Sequence, residues 1–231
     1  MNPIYLFFHK TGSPPWFYKY SGYLIPWLWA GFIGLSVIGL YLGLFVAPAD
    51  YQQGESVRIM YLHVPAAWMS LMIFVIMAIQ SAIALIWRIK LCELIAIASA
   101  PIGAMFTAIT LISGAVWGKP TWGTWWTWDA RLTLTLFLFF LFVGYLTLRR
   151  TMFDPAERAR YSAVVGVLGA MLVPFIHLSV YMFRTIHPRP VVLNPEGPTM
   201  PGSFVATLLS SLAAFTLLYV GLVTTRYGLG R

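Results

Sequence analysis

Trp117-Gly-Lys-Pro-Thr-Trp122-Gly-Thr-Trp125-Trp126-Thr-Trp128-Asp129-Ala-Arg131 is the stretch on which the reading of this chain turns. Five of the ten tryptophans (Trp117, Trp122, Trp125, Trp126 and Trp128) fall within twelve residues. The segment has no continuous apolar run, so it does not cross a membrane itself, but the stretches on either side of it are able to. An interfacial aromatic belt places a ring or two at each helix end; five in one loop exceed that need. On a helical reading Trp122, Trp125, Trp126 and Asp129 recur at i, i+3, i+4 and i+7 and form one stripe. Gly118, Pro120 and Gly123 would bend the chain into and out of it. Such a stripe, lying flat at an interface, offers a wide apolar surface to a planar ligand.

Outward from this segment the chain reads as membrane protein. Of its 231 residues 59% are hydrophobic and 10% charged, whereas soluble domains carry about 25% charged residues. Apolar runs cover about 23–46, 65–87, 94–117, 130–148, 161–183 and 203–225. Each is long enough to span about 30 Å of hydrocarbon. The expected class is an all-α integral membrane protein of six transmembrane helices, with 1–231 as one domain. Ala47-Pro-Ala49 resembles a signal-peptidase site, but the run before it exceeds the roughly 7–15 residues of a signal core. The first span is therefore read as retained. Pro101 and Pro174 fall inside spans, where kinks are tolerated, and Pro65 falls in a first turn.

The basic residues set an orientation. Lys10, Lys19, Arg88, Lys90, Arg149, Arg150, Arg158, Arg160, Arg226 and Arg231 gather on one side; Arg58, Lys119, Arg131, Arg184 and Arg189 gather on the other. Both termini are thus expected in the cytoplasm, with the tryptophan segment outside. The net charge of +8 reads as topology and not as nucleic-acid binding. Cys92 is the one cysteine, which excludes a disulfide framework, a Cys-x-x-Cys pair and a Cys-x-x-Cys-His haem attachment. No Walker A motif is present. The chain is not expected to be an enzyme, and any ATPase activity would belong to a partner.

Among the histidines, His9 has nothing near it that suggests a site. His177 lies within a span and is read as a neutral imidazole hydrogen-bonded to another helix. His63, in Tyr61-Leu-His-Val-Pro65, and His187, in Arg184-Thr-Ile-His-Pro-Arg189, flank spans on the same side as the tryptophans. Two imidazoles approaching from opposite sides suit the axial positions of haem iron; histidines near span ends are also common interfacial residues. Lys119, Arg131, Arg58 and Arg184 could pair with carboxylates at the edge of a bound ring. Asp129 is expected to hold indole N–H groups or Arg131.

The segment Trp117–Thr133 resembles the tryptophan-rich "WWD" signature of haem-handling proteins. Ala47-Pro-Ala-Asp-Tyr-Gln-Gln-Gly54, Tyr61-Leu-His-Val-Pro-Ala-Ala-Trp68, Ala100-Pro-Ile-Gly-Ala104 and Ile176-His-Leu-Ser-Val180 narrow the resemblance. Together they are similar, along nearly the whole chain, to the family of cytochrome c maturation protein C, the haem exporter C family. The resemblance implies a six-helix inner-membrane protein holding haem b at the periplasmic surface. It also implies work beside an ABC transporter's ATPase and membrane subunits and a small single-helix subunit, with delivery to a periplasmic haem chaperone. The family's axial histidines match His63 and His187, and its haem platform matches Trp117–Asp129. Met182-Phe183 is a departure, since family members often have paired tryptophans shortly before the second ligand.

Three rivals remain at this stage. A bis-histidine electron-transfer subunit usually holds haem within its bundle, and only His177 lies in a span here. The synthase branch of the family is larger and carries additional helix histidines. A tryptophan-rich solute permease would bind no haem. Release of haem could proceed by loss of one histidine ligand to the chaperone, or by a tilt of the outer loops driven by the partner ATPase.

Overall fold

The computed structural model describes residues 13–188, 192 and 197–228; His9, Lys10, Arg189 and Arg231 lie outside them. Its helices are α1 (Pro14–Tyr41), α2 (Met60–Trp87), α3 (Lys90–Trp122), α4 (Ala130–Thr151), α5 (Pro155–Gly169), α6 (Leu172–Met182) and α7 (Gly202–Gly228). A π-helical turn, Leu42–Val46, extends α1, and a 3-10 turn, Glu55–Ile59, leads into α2. Among the described residues there is no β-strand, only an isolated bridge between Asp50 and Gly54. Six helical segments are long and apolar enough to cross a membrane, α5 and α6 together making the fifth.

The core lies between α2, α3 and α4, where Met69, Ile73, Phe74, Phe106, Leu138 and Phe142 are almost wholly buried. In lipid, helices associate through close packing of small residues, because the solvent is as apolar as the side chains. Gly103 of α3 shows this directly. A Cβ there would stand 2.2 Å from Cζ of Phe142, so the phenyl ring of α4 occupies the space a side chain would take. Phe142 also meets Phe74 of α2 edge-on, with centroids 4.9 Å apart, an arrangement that contributes about 0.5–1.5 kcal/mol beyond its buried area. One aromatic ring thus joins three helices.

The fifth span is interrupted, where the sequence suggested a continuous run over 161–183. Pro174 has no N–H to offer the Ala170 carbonyl, which accepts from Val173 N–H at 3.1 Å instead. The tighter bonding around residues 170–171 separates α5 from α6. His177 corrects a second expectation. It is not enclosed by a neighbouring helix but exposed on α6, because Ile176, Ser179 and Val180 take the buried face.

Two ends of the bundle differ in chemistry. At one end Glu93 bonds Lys90 at 2.6 Å and lies 3.5 Å from Arg149, which donates to Ser162 Oγ. At the other end, which carries the tryptophans, Ala47, Val57, Met60, Tyr61, Phe204 and Leu208 form a separate apolar cluster against Trp117.

Candidate functional site

The tryptophan segment is not a helix of its own. α3 runs five residues beyond its expected end and includes Trp117, buried Gly118, Pro120 and Trp122, so Gly118 and Pro120 do not bend the chain as expected. Gly123 stops the helix with φ +78°, its N–H bonding the Lys119 carbonyl at 3.1 Å, a termination glycine adopts without strain. Residues 124–129 are irregular, which rules out the helical stripe of Trp122, Trp125, Trp126 and Asp129. Thr124 Oγ1 donates to the Trp126 carbonyl, and Trp126 and Trp128 meet edge-on at 5.7 Å. Trp125 is 57% and Trp128 77% exposed, so these indoles are presented and not packed away.

Each histidine stands on a different tryptophan of the same helix. His63, in the first turn of α2, meets Trp117 edge-on at 5.7 Å. His187 meets Trp122 at 5.2 Å in a tilted contact. The α3 terminus therefore gathers one imidazole from α2 and one from the segment after α6. Further bonds fix this arrangement. His63 Nδ1 lies 3.1 Å from Ser113 Oγ, and Trp117 Nε1 donates to Gln53 Oε1 at 2.8 Å.

Asp129 joins the tryptophan segment to the His187 segment. Its Oδ1 caps α4 by accepting from Arg131 N–H at 2.9 Å, the ordinary role of an Asp at an N-cap. Its Oδ2 accepts from Ile186 N–H at 3.1 Å, while Thr185 bonds it through its side chain. Burial alone would raise the carboxyl's pKa. The Thr185, Arg131 and Ile186 hydrogen bonds and the nearby His187 outweigh it and hold the group below the usual carboxylate range. Of the two expected partners, indole N–H groups or Arg131, the structure shows Arg131, through its backbone N–H.

His187 lies beside this carboxylate, with Nδ1 3.9 Å from Asp129 Oδ1. That is beyond hydrogen-bond reach, and the buried Nδ1 has no other partner. Burial, then the nearby Arg131 and His63, push its pKa down to about 4 against the pull of Asp129. The imidazole is neutral at pH 7, as a metal ligand must be.

The four cations expected at a ligand's edge have separate environments. Arg58 bonds Glu55 at 2.5 Å and the carbonyls of Gly43 and Ala47, which ties the end of α1 to α2. Lys119 Nζ donates to the Gly123 carbonyl at 3.2 Å. Arg131 is half-buried, within the electrostatic reach of Asp129 and Tyr181. Arg184 is exposed and lines an open cleft of about 470 Å³ with Thr127, Trp128, Asp129, Thr185 and Ile186. Sequence reasoning missed Ser113, Gln53 and Thr185. For Ser113 a signal existed, because it sits four residues before Trp117 on one helix face.

With this geometry in place, the comparison with known proteins is direct. The family model described as Heme exporter protein C matches residues 7–229. The chain belongs to that family. It is 43% identical over 210 residues to Heme exporter protein C of Bradyrhizobium diazoefficiens, covering 91% of this chain and 80% of that one. Similarity to Heme exporter protein C of Escherichia coli K12 is 45% identity over 179 residues, 78% of this chain and 73% of the relative. The Haemophilus influenzae protein of the same name is 41% identical, over 95% of this chain and 89% of its own length.

Proposed function

We propose that this chain binds haem b at the periplasmic face of the inner membrane and hands it on for c-type cytochrome maturation. The observation that carries this reading is the pair His63–Trp117 and His187–Trp122, two imidazoles seated on indoles of a single helix end. Among the described residues no three His, Cys, Asp or Glu side chains converge to hold a bare ion. Two suffice where a macrocycle supplies the other ligands of the metal. The buried, partnerless Nδ1 of His187 fits this. With Nδ1 buried on the Asp129 side of the ring, the other ring nitrogen is left for iron.

Haem is cargo here, and the chain's own groups perform binding and release. Trp125 and Trp128 supply uncovered apolar area, with Trp126 beside them. Arg184, Arg131, Lys119 and Arg58 supply positive charge near the edge, where propionates would otherwise lose their hydration uncompensated. Asp129 keeps the His187 segment docked against the indoles. Family membership supports an ABC transporter's ATPase and membrane subunits, a small single-helix subunit and a periplasmic haem chaperone as partners. The basic residues of the other face support cytoplasmic termini. The chain itself is a transfer subunit and not an enzyme.

The test is absorption spectroscopy of the purified protein and of His63→Gly and His187→Gly. The wild type should show a Soret band of six-coordinate low-spin haem. Each variant should lose it, with recovery on adding imidazole. A wild-type spectrum in both variants would remove the axial assignment.

A further inference from the structure

His63 is held on three sides by α3. Ser113 Oγ is 3.1 Å from its Nδ1, the Trp117 ring stands edge-on at 5.7 Å, and Gly114 lies against its Cε1. A Cβ on Gly114 would sit 2.9 Å from Cε1 and 3.4 Å from Nδ1, so any side chain there would push the ring out of place. Residues 113, 114 and 117 share one helix face, and the imidazole fills the recess they leave.

The Ser113 hydroxyl has one proton, and it is already committed. It donates to the Ile109 carbonyl at 2.5 Å, with the Thr110 carbonyl at 3.4 Å as a second, weaker acceptor. Toward His63 the Ser113 oxygen can therefore act only as an acceptor. The imidazole must then carry its hydrogen on Nδ1, which leaves the Nε2 lone pair free.

We propose that Ser113 is a positioning residue that fixes the Nδ1–H tautomer and ring plane of His63, so that Nε2 is the atom offered to haem iron. This rests on the haem-binding reading above. A hydroxyl held by its own helix backbone performs for His63 what a carboxylate usually performs for a metal-bound histidine. The two ligands are thus placed differently: the His63 ring by a serine within the helix bundle, the His187 segment by the bond from Ile186 N–H to Asp129.

Nitrogen NMR of histidine-labelled, haem-free protein reads the tautomer without any ligand. Wild type and Ser113→Thr, which retains the hydroxyl, should show His63 protonated on Nδ1. Ser113→Ala should shift it toward the Nε2–H form that free imidazole side chains prefer in water. Haem affinity should fall roughly 10–100-fold in Ser113→Ala, the usual cost of losing an outer partner of a metal-bound histidine, and stay near wild type in Ser113→Thr. Nδ1 bare in the wild type, or an unchanged tautomer and affinity in Ser113→Ala, would overturn the proposal. Failure of the haem reading itself looks different: His63→Gly would then bind haem as the wild type does, while the wild-type tautomer would still be set by Ser113.

Discussion

Aromatic rings serve opposite ends in two regions of this molecule. Between α2, α3 and α4, Phe74, Phe106 and Phe142 are buried to within 1%, and glycine makes room for them. Around Gly123, Trp125 and Trp128 stay uncovered although they carry more apolar surface. Rings that only stabilise are enclosed by their own chain. Rings left open, beside two imidazoles, are shaped for something the chain does not contain. Exposure alone does not mark the site, since Trp27 on α1 is as open as Trp128. Trp125 and Trp128 differ in following directly on the end of α3 where His63 and His187 meet Trp117 and Trp122.

The sharpest way to break this distinction is to detach one side of the open region. Asp129→Ala removes an N-cap and a buried acceptor of two backbone N–H groups. Charge-assisted bonds of this kind contribute about 1.5–3 kcal/mol each. Haem retention should fall at least tenfold in spectral titrations, while helix content by circular dichroism stays unchanged. Full retention would show that the His187 segment is docked by other contacts.

Acid probes the same region without mutation. The His187 pKa is lowered from 6.5 to about 4, so burial favours the neutral form. The docked state is therefore fully stabilised above pH 6.5 and loses stability as pH falls from 6.5 toward 4. Across that window the loss amounts to about 3 kcal/mol. Asp129, held low, acts in the same direction as it protonates. In haem-free protein, proteolysis near residues 183–188 should quicken below pH 6, and His187→Gln should flatten the dependence.

Gly103→Ala tests the enclosed region. Its methyl would displace Phe142 at a cost of about 1–3 kcal/mol, seen as a lower Tm, yet the surviving folded protein should bind haem normally. Altered haem affinity would mean that the two regions are not independent. A smaller effect is expected from Trp125→Ala with Trp126→Ala, which should weaken haem retention several-fold through lost stacking area. Trp27→Ala, at an indole 78% exposed on α1, should leave retention unchanged.

The six crossings were legible because each apolar run is long and little else in the chain competes with it. That His63 and His187 come to the same end of the bundle was legible through their shared side. The form of the tryptophan segment was not. Periodicity allowed a stripe that Gly123 forbids, since a residue at φ +78° ends helical spacing whatever follows it. The role of Gln53 was hidden because its partner Trp117 lies 64 residues away; Ser113 showed only a spacing to Trp117, while its partner His63 lies 50 residues away. His177 was misread for the reverse reason: its exposure follows from which face of α6 packs, not from its depth.

α1 packs chiefly on α7, a helix synthesised well after it. Through most of synthesis the first segment must wait in the lipid without its mate, and its strongly apolar surface makes that wait tolerable. Docking of α1 must then wait for α7, and a chain truncated before residue 202 would leave α1 adrift.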